Sequence, residues 1–124
     1  MRRDLDLVRC ILMTVEKADG PIGFDVLSEC CGDIGRLAFH VGLMHSHGLI
    51  DAEVDSDGFG EPMDVRISSM TWDGYDYLDA IRSPQVWNKA KEAISKAVGD
   101  TSLSVVKQTC AMVATGLIRS QLGM

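Results

Sequence analysis

The sequence predicts an α+β fold, mostly helical, in which three helices lead into a two-stranded hairpin and two or three further helices follow. Three observations predict it. Apolar residues recur at spacings of three and four in separate stretches, as at Leu5, Val8, Leu12 and Val15, which is the period of a helix with one buried face. Apolar residues instead alternate in LIDAEV and VRISSM, on either side of an acidic segment, which is the period of a strand. Capping residues and glycines punctuate the joints between these stretches.

The elements follow in chain order. Asp4 is placed to cap a first helix over DLDLVRCILMTVEKADG, which ends near Gly20 and Pro21. A shorter second helix fits FDVLSECC and stops at Gly32. From Asp33, DIGRLAFHVGLMHSHG carries Ile34, Leu37, Ala38, Val41 and Met44 on one face, with Gly48 where a terminating left-handed residue is needed. The alternating runs around Glu53–Asp64 are the two strands. Thr71 caps a fourth helix, TWDGYDYLDAIR, whose Asp73 suits the positive end of the helix dipole. Ser83 and Pro84 read as the cap and first residue of a fifth helix with Trp87, Ala90, Ile94 and Ala97 in one stripe. A final helix after Gly99 has a seam of Leu103, Val106, Cys110, Val113 and Leu117, with Ala111, Ala114 and Gly116 small enough for close approach.

At 124 residues the chain is long enough for a core without metals or staples. It is expected to be one cooperative domain, residues 1–82 carrying the hairpin and the helix after it, and residues 83–124 a helical extension packed on the same domain. Twelve Lys and Arg against 18 Asp and Glu give a net charge of −6. Any nucleic-acid surface is therefore small and specifically placed. The opening MRRDLD lacks an apolar leader, and the uncharged run Gln108 to Ile118 is too short to cross a bilayer. The chain is expected to be cytoplasmic, with no membrane partner. Cys10, Cys30, Cys31 and Cys110 have no CxxC spacing, and in a cytosolic setting all four are expected to be reduced thiols that act as small hydrophobes.

Three helices, the second and third joined by a short turn, followed by a two-stranded hairpin, is the order of a winged helix-turn-helix. The residues also carry a resemblance. His40-Val41-Gly42-Leu43-Met44-His45-Ser46-His47-Gly48-Leu49-Ile50 resembles the end of the recognition helix entering the wing in bacterial winged-helix regulators, and Met70-Thr71-Trp72-Asp73-Gly74-Tyr75-Asp76-Tyr77-Leu78 resembles the (L)-T-x-x-G-x-x-x-L that follows the wing there. RRDLDLVR, TWDGYDYLDAIR and VWNKAKE together resemble a family of short bacterial and prophage proteins of unknown function. The resemblance spans nearly the whole chain. It implies a winged-helix fold and an association with phage or other mobile elements, and it transfers no activity, catalytic residue or ligand. Winged-helix regulators usually place Lys or Arg in the wing, whereas Asp51–Asp64 here contains none.

The leading functional expectation is a DNA-binding protein of phage or prophage type acting in transcription regulation. The third helix would enter the major groove of double-stranded DNA with Gly35, Arg36, Phe39 and His40, Arg36 being able to grip guanine bidentately, while Arg2, Arg3 or Arg66 reach phosphates. His40 reads as a packed or partly exposed histidine before it reads as a base contact, and Arg36 can equally be a solvated charge or a partner of Asp33.

The alternative expectation is a non-enzymatic module that turns the acidic hairpin to a basic protein partner. Glu53, Asp55, Asp57, Glu61 and Asp64 would steer the partner, and Phe59, flanked by Gly58 and Gly60, would anchor it. Residues 53–64 also imitate the acid order of a calcium loop, but Glu53 at its first position, Pro62 within it and the strand-like flanks speak against one. Cys30, Cys31, His45 and His47 offer nitrogen and sulfur without zinc-site spacing, so no metal and no cofactor is expected. No GxxxxGK, GxSxG or HExxH is present, and the reading is of a binding protein rather than an enzyme. The helices of residues 84–122 are expected to form a homodimer interface.

Overall fold

The computed structural model describes residues 2–96 and 103–121. Among these the chain forms α1 (Leu5–Lys17), β1 (Ile22–Gly23), α2 (Phe24–Leu27), α3 (Ile34–Ser46), β2 (Ile50–Ser56), β3 (Pro62–Met70), α4 (Trp72–Ile81), α5 (Pro84–Lys96) and α6 (Leu103–Gln121). The α+β, mostly helical class is as the periodicities predict. The chain divides into two compact units, residues 1–78 and 79–124, the boundary falling within α4.

In the first unit one antiparallel sheet has the order β1-β3-β2. Sequence periodicity finds two of its strands and misses β1, whose Ile22 and Gly23 pair with Ile67 and Arg66 of β3. Two residues are too few to show alternation. The core joins Leu7, Val8, Ile11 and Leu12 of α1, Leu37, Val41 and Met44 of α3, and Ile22, Ile50, Val65 and Ile67 of the sheet, all of them buried. Each such side chain contributes about 1.5–3 kcal/mol of apolar burial, which makes this face the main source of the unit's stability.

The caps are largely those expected. Asp4 Oδ1 accepts the Asp6 and Leu7 N–H groups at 3.0 and 3.2 Å, and Asp33 Oδ1 accepts those of Gly35 and Arg36 at 2.9 and 3.3 Å. Gly48, at φ +85°, ends α3 in a Schellman arrangement: the Leu49 N–H reaches Met44 O at 2.9 Å and the Gly48 N–H reaches His45 O at 3.0 Å. Thr71 then anchors α4 to this corner. Its N–H donates to Leu49 O at 3.1 Å, its hydroxyl donates to Gly48 O, and the same oxygen accepts the Gly74 N–H at 3.0 Å.

Two expectations are corrected. FDVLSECC is not helical throughout: α2 ends at Leu27, and the Glu29 and Cys30 N–H groups turn to the carbonyls three residues back, Val26 O and Leu27 O. The four thiols are not all free, because Cys10 of α1 is bonded to Cys30. Their Cα atoms stand 5.9 Å apart, inside the range a disulfide spans. The tightened turn after α2 brings Cys30 to α1, and a bond closing a loop of this length contributes about 3 kcal/mol in the chain-entropy account. Cys31 and Cys110 are free.

The hairpin pairs Ile50 with Met70 through Ser56 with Pro62, with register shifts after Asp51 and after Asp55. Asp55 lies directly opposite Asp64, and like charges so placed repel. Asp55→Lys is expected to raise stability by about 0.5 kcal/mol in urea unfolding at low salt, and most of the gain should vanish at about 1 M salt.

In the second unit α5 packs on α6. Val86, Trp87, Ala90 and Ile94 are the buried stripe of α5, and Val106 and Cys110 are buried on α6. Burial pushes the Cys110 thiol pKa up, which leaves it a packing group rather than a reactive one. Ser83 and Pro84 open α5 as cap and first residue. The side chains of Leu103 and Leu117, like Gly99 and Ala97, lie outside the described residues.

Candidate functional site

Asp4 is the hub of the site. Beyond capping α1, it holds Arg36 through Oδ2, with Nη2 at 2.5 Å, and its N–H donates to His40 Nε2 at 2.8 Å. His40 Nδ1 stands 2.8 Å from Arg36 O, so these two bonds assign the neutral ring with its hydrogen on Nδ1. One residue at the start of α1 is thereby fastened to the first turns of α3. Arg2 and Arg3, both exposed, directly precede Asp4 in the chain.

The expected groove residues separate on the structure. Gly35, Arg36 and Phe39 lie on the outward face of α3, and Arg36 keeps 44% of its side chain in solvent while paired with Asp4 rather than Asp33. Asp33 is occupied in capping. His40, one helical turn on from Arg36 and held by the same Asp4, is fully buried, so it leaves the set of base-contacting residues. Its position was readable: three residues after Leu37 and four before Met44, it falls in the apolar stripe. Arg66 alternates with buried Val65 and Ile67, projects from the other face of the sheet opposite Glu53, and does not join Arg36. Beyond its first turn, the exposed residues of α3 are Leu43, at 40%, and His45 and Ser46 at its C-terminal end.

The acidic hairpin is an ordered element. Asp57 Oδ1 accepts the N–H groups of Phe59 and Glu61 at 2.8 and 2.9 Å, Asp57 N–H donates to Glu61 O at 2.8 Å, and Gly60 supplies the positive φ of +84°. The closed turn holds Phe59 at 94% exposure, with Met63 at 67% nearby on β3. Glu53 and Asp55 on β2 and Asp64 on β3 belong to paired strands, and Asp57 is spent on the turn. This is a hairpin, unlike a calcium loop between helices.

Two of the nitrogen and sulfur candidates are engaged: Cys30 is bonded to Cys10, and His45 Nδ1 accepts the Ala52 N–H of β2 at 3.3 Å. Among the described residues no three His, Cys, Asp or Glu side chains cluster as metal ligands, and no helix is long and apolar enough to cross a membrane.

A family described as "Hypothetical protein (DUF2513)" matches residues 2–100, most of the chain. The chain belongs to the DUF2513 family. It is also 33% identical over 127 residues to an uncharacterized protein of Haemophilus influenzae, an alignment covering 95% of this chain and 99% of the relative. No solved structure matches it. The DUF2513 match takes in the Asp4 hub, the acidic hairpin and the Thr71–Gly74 corner. It stops short of α6, so within the DUF2513 span the chemistry available is that of the first unit and α5.

Proposed function

We propose that the first unit is a winged-helix domain that binds double-stranded DNA through the N-terminal end of α3, as a regulator of phage or prophage type. The order α1-β1-α2-α3-β2-β3, with β3 central in the sheet, is that of a winged helix, and it supports the fold assignment. The observation that carries the function is Arg36, half-exposed on the first turn of α3 and paired with Asp4, the residue that Arg2 and Arg3 precede in the chain. A helix start with a bidentate-capable arginine and a dibasic arm suits one base contact and adjacent phosphates. The hairpin, whose Asp51, Glu53, Asp55 and Asp64 project from the sheet, stays away from the duplex, unlike a basic wing.

Fluorescence anisotropy against mixed-sequence duplex, at low and near-physiological salt, tests this. The wild-type chain is expected to bind with affinity that falls steeply with salt. Arg36→Glu should cost about 1–3 kcal/mol and Arg2→Ala/Arg3→Ala should flatten the salt slope. Equal binding by all three chains would sink the reading.

One observation favours a second reading. Phe59 is held out at 94% exposure by a turn whose every bond is internal, amid carboxylates, which suits a basic protein partner with an apolar pocket. In that case a pull-down partner is lost with Phe59→Ala and retained with Arg36→Glu, the reverse of the DNA pattern.

A further inference from the structure

Beside the Asp4–Arg36 pair lies a half-open cleft of about 170 Å³, lined by Asp4, Asp6, Leu7, Cys10, Cys30, Cys31 and Arg36. Three of the four cysteines of the chain thus face one cleft. Two are joined in the Cys10–Cys30 bond and the third, Cys31, is a free thiol. All three are partly exposed rather than buried. A disulfide that only braces a core is shielded from incoming thiols, whereas one opening onto solvent is accessible to exchange.

We propose that this cleft is a thiol–disulfide exchange site, where a small thiol of glutathione size reversibly opens the bond between Cys10 and Cys30. The surrounding groups assign the direction of attack. Thr14 Oγ1 stands 3.3 Å from Cys30 Sγ while its hydroxyl donates to Cys10 O at 2.7 Å, and it can turn its O–H to the sulfur on which charge develops. Cys30 is therefore the leaving group and Cys10 the sulfur attacked. The small thiolate forms a bond to Cys10 Sγ, the Cys10–Cys30 bond breaks, and its electron pair departs on Cys30, which takes a proton from water. A second small thiolate attacks the small molecule's sulfur in this mixed disulfide, and Cys10 leaves as a thiolate and is protonated. The protein disulfide is reduced to two thiols, and two small thiols are oxidised to one small disulfide. The site shares Asp4 and Arg36 with the surface proposed above for DNA, but the exchange does not rest on that reading.

The test uses the full chain equilibrated in mixtures of reduced and oxidised glutathione, quenched in acid, unfolded and alkylated, and weighed intact, with circular dichroism confirming the fold before quenching. The expected result is one transition from two alkylated cysteines to four as the reduced fraction rises, with Cys10 and Cys30 the residues that change. Cys31→Ser should show the same two-thiol step, from one to three. In Cys30→Ser, oxidised glutathione should leave a single adduct mapping to Cys10. Three results would overturn the proposal: four alkylated cysteines at every ratio in the folded chain, two at every ratio until the chain is unfolded, or loss of the step in Cys31→Ser.

Discussion

Replacing Gly74 by alanine is expected to destabilise the chain by about 3 kcal/mol or more, lowering Tm by roughly 10 °C. A Cβ at this position would stand 2.0 Å from Leu49 O and 2.6 Å from Met70 Cγ. The methionine can swing aside, but the carbonyl cannot. Leu49 O accepts the Thr71 N–H, and the Leu49 N–H closes the end of α3 onto Met44 O, so moving it loosens both the α3 terminus and the anchor of α4. Gly42 makes the control. It lies inside α3, and an added Cβ there meets nothing within 4 Å, so Gly42→Ala should stabilise by about 0.5–1 kcal/mol through helix propensity alone. Urea unfolding of the two variants reads opposite signs if the close approach matters. A loss of similar size in both would sink the argument.

His40→Ala is expected to cost about 2–4 kcal/mol. The imidazole is fully buried, so truncation leaves a void as well as an Asp4 N–H without its 2.8 Å acceptor. His40→Gln, whose amide oxygen can reach for the same N–H, should recover part of the loss. Arg36→Ala should cost under about 1 kcal/mol, because its partner pair is partly solvated, at 44% and 33% exposure. The two neighbours therefore separate in one experiment. Urea midpoints should fall for His40→Ala and barely move for Arg36→Ala, while the DNA anisotropy measurement should respond to Arg36. A neutral His40→Ala would show that Asp4 does not fasten α1 to α3 through this ring.

What the sequence made legible is what local chemistry specifies. Asp4, Asp33, Thr71 and Ser83 each announce a helix start because a side-chain oxygen meets backbone N–H groups two or three residues on, and Gly48 announces an end because the left-handed conformation is costly for other residues. What it hid depends on distance along the chain. Arg36 meets Asp4 across 32 positions and His40 meets it across 36, and no spacing rule encodes such encounters. Cys10 and Cys30 are 20 apart, and an argument from compartment spoke against their bond. Of the outward residues of α3, the helical period placed Gly35, Arg36 and Phe39. It also held the information that His40 turns inward, the packed alternative to a base contact.

In the sheet order β1-β3-β2, β2 is an edge. An exposed edge carries unpaired backbone groups that invite a strand from another copy, which is how soluble proteins begin to form fibres. Asp51, Glu53 and Asp55 line this one at every second position, and a strand of the same sequence laid alongside would bring its own carboxylates against them. The register shifts after Asp51 and Asp55 further distort the template. The charge that keeps phosphate away from this hairpin also guards the chain against sticking to itself.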